Sequence, residues 1–368
     1  MESYINIYVL DKNTLDQLGV VSEYKGLIFP KAYIGQAKFE LYTPITQNNS
    51  SLLKEERLIY LDEEHCGEIT SINTIINDSG EKVLKIGGIT LERLLRDRIL
   101  WETYIAKDKR PDTILTEIVA QNCITPVDTK RIIPYLEGCD IDENISLSKI
   151  SHQKTGGEVY EECKTLCETY GFGFGINIDL ENKKFKLILR YGLDKTINQT
   201  ERDYVLLSTD MQDILSSEYK KDVEDVKTTA LVAGENSGEE RLTVVSGDNS
   251  LEGFSRKEMY VDARDIQSKD TELDVTTLLN SRGIEKLSEQ IASESFKFTI
   301  RPQNTTYKYG VDYFLGDTIT VYDEEIGVQA NVVVTEIEHE WDGNKFSLTH
   351  TFGFKSLKLM DKIKRLIK

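Results

Sequence analysis

From Val332 to Phe352 apolar and polar residues alternate on both sides of one Asp342-Gly343 step, a period of two that suits a pleated strand and no helix. Asp-Gly between two such runs is a strong signal for a two-residue hairpin turn. Folding there places Val333, Thr335, Ile337, His339 and Trp341 on one face with Phe346, Leu348, His350 and Phe352. Glu336, Glu338 and Glu340 then share the other face with Lys345, Ser347 and Thr349. One side is core and the other is wet, so the chain must contain antiparallel sheet.

The same alternation fills the first ninety or so residues: Tyr4–Val9, Lys38–Tyr42, Arg57–Tyr60 and Glu68–Ile72, closed by an amphipathic helix over Leu91–Leu100. Between about 105 and 200 the character changes. Pro111 opens a helix carrying Ile114, Leu115, Ile118 and Val119, and Thr155-Gly-Gly-Glu158 reads as a capping box for a second helix that Gly171 ends. Two strands follow, Phe172–Ile178 and Lys184–Arg190. Strands then return, with one helix near 275–293 whose interior holds Gly283, at roughly 1 kcal/mol relative to Ala. A chain of 368 residues is long enough for two to three domains. The expected division is a β domain over 1–104, an α/β insert over 105–200, a second β domain over 201–354 and a terminal segment over 355–368.

A faint internal repeat links the two β regions. Ile69-Thr-Ser-Ile72, a turn at Asn77–Gly80 and Leu84-Lys-Ile-Gly-Gly88 parallel Val334-Thr-Glu-Ile337, the Asp342-Gly343 turn and Leu348–Gly353. The expected fold is mainly β with an α+β insert, containing two similar tube-like β-barrel or sandwich domains.

The terminal segment reverses the polarity of the chain. Six basic residues (Lys355, Lys358, Lys362, Lys364, Arg365, Lys368) meet the single acid Asp361, a net +5 in a chain of −18. Leu359, Met360, Ile363, Leu366 and Ile367 fall at helical spacing among them, which predicts a basic amphipathic helix that docks a partner. With 45 Lys and Arg against 63 Asp and Glu, the surface as a whole opposes phosphate, so sequence-specific nucleic-acid binding is not expected. No apolar run is long enough for a membrane span, and the amino-terminal residues have no signal-peptide pattern.

Catalytic constellations are not visible. Five Cys is an odd number, so reduced thiols are expected, and Cys163 and Cys167 read as core thiols because a zinc site needs further ligands. His65-Cys66 is an isolated pair. The hairpin sets His339 opposite Phe346 and His350 opposite Thr335, about 13 Å apart, which suits packed neutral imidazoles better than a shared metal. The Ser146-x-x-Lys149, Ser151-x-x-Lys154 and Lys154-Thr-Gly156 elements crowd into one short segment instead of converging from separate ones, and Gly171–Gly175 follows a helix, the wrong order for a phosphate loop. No cofactor or metal is implied.

Several ordered stretches resemble the baseplate or tail hub proteins of tailed phages and of contractile phage-tail bacteriocins. They are Tyr33–Leu41, Gly67–Ile72, Leu166–Phe174, Tyr191–Thr196, Ser208–Asp222, Tyr309–Asp317 and Thr351–Gly353, spread over nearly the whole chain. The resemblance implies a non-enzymatic homotrimer in which each subunit contributes two tube-like β domains. It implies a particle location, after synthesis in the host cytoplasm, and two neighbours: a tail tube or distal tail protein on one side and a spike or tail-tip protein on the other. The competing classes are a cell-wall hydrolase with its carboxylates hidden among many acids, and a carbohydrate-binding tail component using the 18 Tyr and two Trp.

Overall fold

A computed structural model describes residues 5–21, 23–76, 80, 82–209, 214–267, 274–290, 293–300, 306–324, 327–342 and 345–354. The predicted docking helix over 355–368 lies outside the described residues.

The first β unit contains β1 (Ile7–Leu10), β2 (Gln17–Val21), β3 (Gly26–Ala32), β4 (Lys38–Pro44), a short α1 (Gln47–Leu52), β5 (Leu58–Tyr60), β6 (Cys66–Ile76) and β7 (Lys82–Thr90). Its strands run side by side in the order β3-β4-β7-β6-β5-β1-β2, every pair antiparallel. Alternate residues point into the core, so Phe39 and Leu41 are buried while Glu40 and Tyr42 face outward. The predicted helix over 91–100 is a tighter 3-10 segment, Leu91–Asp97, which buries Leu91, Leu94 and Leu95.

The insert holds β8 (Tyr104–Lys109), α2 (Pro111–Val119), β9 (Leu136–Glu137), β10 (Ile150–Lys154), α3 (Val159–Tyr170), β11 (Gly173–Asp179) and β12 (Lys184–Arg190). Pro111 stands in the first turn of α2, where its missing N–H costs nothing, and Gly171 ends α3 in the left-handed conformation at φ 79°. The capping box does not form. Gly156 and Gly157 both take positive φ and turn the chain, so Glu158 becomes the cap residue and the Thr155 hydroxyl meets that of Thr103 at 3.0 Å instead. Helices α2 and α3 share one core with Leu58, Cys66 and Leu95 of the first unit, so the insert is fused to it.

The rest of the chain contributes β13 (Asp194–Lys195), β14 (Leu206–Ser208), β15 (Ile214–Asp222), β16 (Thr229–Ala233), β17 (Thr243–Gly247), β18 (Glu258–Asp262), α4 (Val275–Ser288), β19 (Ser293–Ile300), β20 (Thr318–Asp323), β21 (Val328–Asp342) and β22 (Lys345–Phe354). Strands β17-β16-β18 form a sheet of their own, whose Ala230, Val232 and Val261 bury against Leu279 and Leu287 of α4. Gly283 lets that helix approach, since a Cβ there would overlap the Ser246 side chain. The propensity penalty expected of this glycine is the condition for close packing.

Strand β21 is the hinge of the architecture. Its first half pairs with β20, and its second half, Glu336–Asp342, pairs with Ala32–Gly26 of β3. The two β units are thereby one 14-stranded sheet. Among the described strands it does not close, and the expected tube-like barrels are corrected to an open sheet: β21 leaves its own unit to join the next, so that edge is not available for closure. The hairpin register also differs from expectation. Asp342 pairs Lys345, so Trp341 faces Phe346 and His339 faces Leu348. A bulge at Thr335 then shifts the phase, burying Val332 and Val334 where Val333 and Thr335 were expected.

The repeat suspected from sequence is present at the level of register. The order β5-β6-β7-β4-β3 of the first unit recurs as β20-β21-β22-β19-β15, again antiparallel throughout. In β6–β7 the register slips between Ile69 and Ser71, opposite Gly88 and Gly87; in β21–β22 it slips between Val334 and Glu336, opposite Phe352 and Thr351. Those are the positions the sequence comparison aligned. Phe39 pairs Gly88 as Phe296 pairs Phe352, and Ile59 pairs Gly67 as Ile319 pairs Val332.

Candidate functional site

Three features of the fold gather chemistry. The first is the outer face of the joined sheet, where one ladder runs Ser71, Gly87, Glu40, Ile28, Glu340 and Ser347 across both units. Glu336 and Glu338 lie beside Glu340 on this face, half-buried like it. Lys85 answers Glu40 at 2.7 Å, and Ser347 donates to Glu340 at 3.1 Å. The face is acidic and continuous over the junction.

The second feature is a seam of buried aromatic and imidazole rings under that junction. His65, in the loop before β6, approaches His339 of β21 with 3.4 Å between Nε2 and Nδ1. The Asp62 carboxylate holds the other nitrogen of His65 at 2.8 Å. Burial raises the pKa of Asp62, but the His65 bond outweighs it and brings the carboxyl down to about 2. Tyr309 lies against both His339 and His350, and Tyr313 meets His350 Nε2 at 2.9 Å. Burial pushes His350 down to about 3, and burial together with the neighbouring His65 pushes His339 well below the ordinary imidazole range. Both are neutral core groups, as expected. Their bridging by Tyr309 was not, nor was the meeting of His65 with His339, which lie 274 residues apart and give no local signal.

The third feature joins the insert to α4. His152 and Lys154 of β10, Glu162 of α3 and Glu285 of α4 converge, and the ligand atoms of His152, Glu162 and Glu285 lie within 4.8 Å of one another. The Lys154 ammonium stands in the midst of them, 2.7 Å from Glu162 and 3.8 Å from Glu285. Arg282 closes the cluster, with Asp265 at 3.1 Å and the carbonyl of Gln153 at 3.0 Å. Burial favours the neutral form of Glu162, but His152 and Lys154 reverse it and hold the carboxyl at about 2. Glu285 goes the other way, raised first by burial and then by Glu162. Lys154 pairs with carboxylates from two elements, so the cluster ties α3 of the insert to α4 as an ionic latch. The Glu162 and Glu285 carboxylates it gathers are both buried.

The cysteines fit a structural reading. Cys66, Cys123, Cys163 and Cys167 are buried, and burial raises each thiol above its ordinary value. No helix of the described residues is long and apolar enough to cross a membrane.

Residues 6–354 match the family described as Siphovirus ReqiPepy6 Gp37-like protein. A comparison with curated proteins finds no match. Among solved structures the fold is similar to a tail protein from Neisseria meningitidis MC58, with 12% identity, 97% of this chain and 98% of the other covered, and a TM-score of 0.53. It is similar as well to the 43 kDa tail protein of prophage MuSo2 from Shewanella oneidensis (12% identity, 97% and 100% covered, TM-score 0.54). The prophage tail protein gp18 from Listeria monocytogenes EGD-e aligns comparably, at 12% identity over 98% and 99% of the two chains with a TM-score of 0.51.

Proposed function

The chain belongs to the Siphovirus ReqiPepy6 Gp37-like family, and on that premise we propose that it is a structural tail hub, a homotrimer that joins a sixfold tail tube to a threefold spike or tail tip. The observation that carries this reading is the shared register of the two β units, down to the bulges at Thr70 and Thr335. A ring that continues a hexameric tube needs six equivalent units, and three chains supply them when each holds two. The hub works by shape and adhesion, with no reaction to catalyse.

The acidic face supports a second element of the proposal. Turned toward the axis, Glu336, Glu338, Glu340 and Glu40 would line a channel that repels phosphate, so that DNA passes without sticking. Neutralising these carboxylates would then slow DNA ejection. The basic segment 355–368, with Lys355, Lys358, Lys362, Lys364 and Arg365 around Leu359, Met360, Ile363, Leu366 and Ile367, would dock a neighbouring tail-tip protein. Deleting it should stop tail completion; normal tails from the deletion would remove that part.

A carbohydrate-binding role takes support from one place, the outer face of the β17-β16-β18 sheet, where Leu231, Val245 and Tyr260 stand exposed in a row. Imaging of particles labelled on this chain separates the readings. The hub predicts label at the junction of tube and tip, while label on peripheral fibres would contradict it.

A further inference from the structure

The chain already makes one contact between β units, and the repeat says where the other must be. Within the chain, residues 336–342 of the second unit's β21 pair with residues 32–26 of the first unit's β3. The counterpart of that half of β21 is the end of β6, because Ile69, Ser71 and Ile72 hold the places of Val334, Glu336 and Ile337 around the bulge. The counterpart of β3 is β15: Gly26, Leu27 and Ile28 pair Tyr42, Leu41 and Glu40 as Ser216, Ser217 and Glu218 pair Thr299, Phe298 and Lys297.

Both counterparts present a free edge among the described residues. β5 pairs β6 only at Cys66–Glu68, leaving residues 71–76 without a strand on that side, and β15 ends the sheet beyond β19. The side chains repeat the message. Ile337, His339 and Trp341 are buried where β3 covers them, whereas their counterparts Ile72, Thr74 and Ile76 are half-buried, exposed and 66% exposed. An exposed strand edge carrying isoleucines is a template for another strand.

We infer that residues 71–76 of β6 in one chain pair antiparallel with residues 222–217 of β15 in a second copy of this chain. The register follows from the internal junction: Ser71 opposite Asp222, Asn73 opposite Lys220, Ile75 opposite Glu218. The contact is heterologous, using two different edges, so repeating it around an axis generates a ring instead of a closed pair. This rests on the trimeric hub reading and adds to it the strands and register that hold the trimer.

The pair equivalent to Glu338 and Pro30 is Asn73 with Lys220. Pro30 has no N–H to give, which marks a non-hydrogen-bonded pair, where Cα atoms about 4.5 Å apart admit a disulfide. The test is oxidation of the purified full chain carrying Asn73→Cys with Lys220→Cys, against a control carrying Asn73→Cys with Ser216→Cys, four residues out of register. Native mass is measured alongside. Covalent trimers from the first variant and not from the second support the inference. A native trimer in which the first variant fails to cross-link overturns this pairing and leaves the threefold reading standing. A monomer that cross-links in neither variant overturns both.

Discussion

The two β units follow one register and fill it with different side chains. In the first unit Phe39 lies over Gly67 and Gly88, where any Cβ would collide with its ring. In the second unit the same two positions are Val332 and Phe352, both fully buried. The second unit carries apolar residues where the first has glycines, while pairing, order and bulge stay in place. Backbone ladders and the inward-outward alternation specify the sheet, and many combinations of apolar side chains satisfy it. The remaining difference lies in what each unit packs against: the second is capped by the first through β21 and β3, while the matching edge of the first pairs with no strand among the described residues.

The largest expected effect comes from forcing one filling onto the other. Gly88→Phe, which gives the first unit the residue of the second, should destabilise by at least about 4 kcal/mol, because a side chain there meets both Phe39 and the Glu68 carbonyl. Phe39→Ala in the same chain should recover part of the loss by vacating the ring, and urea unfolding of the single and double variants measures both. No recovery would mean that the Phe39 ring is not what holds position 88 to glycine.

Next comes the contrast in covering. Trp341 is 2% exposed and its counterpart Ile76 is 66% exposed, so Trp341→Ala should cost about 3–5 kcal/mol in the isolated chain and Ile76→Ala no more than about 0.5. Equal losses at the two positions would show that the first unit's edge is covered within the chain.

Acid should act at the seam. His350, faced by Tyr313, Tyr309 and Phe352, has its folded pKa near 3, below the unfolded value of about 6.5. The unfolded chain therefore binds more protons in that window, and stability falls as pH drops below about 6.5, by up to about 1.4 kcal/mol per pH unit for this group. His339 acts in the same direction. Replacing His350 with Phe should flatten the pH dependence of the unfolding midpoint between pH 6 and 4; an unchanged slope would place the acid sensitivity elsewhere.

Much of the sheet is legible in the chain because period-two alternation and turn chemistry are local. Asp342-Gly343 locates the β21–β22 hairpin, Pro111 and Gly171 mark helix ends, and the alignment of Ile69–Ile72 with Val334–Ile337 matches residues that the structure places at equivalent positions. What local pattern cannot carry is the phase after a bulge, so Val332 and Val334 were hidden behind Val333 and Thr335. Nor does it show that β21 crosses into the first unit, a pairing of residues some three hundred positions apart. The buried groups that meet across layers are illegible for the same reason: His152 and Lys154 sit near Glu162 in sequence, but Glu285 and Arg282 reach them only through the docking of α4.

The account stands on three chains presenting six units, and the mass of the native assembly addresses that directly. Sedimentation equilibrium on the intact 42.0 kDa chain across a range of concentrations should converge on three times that mass. Convergence on one, two or four chains would contradict the account.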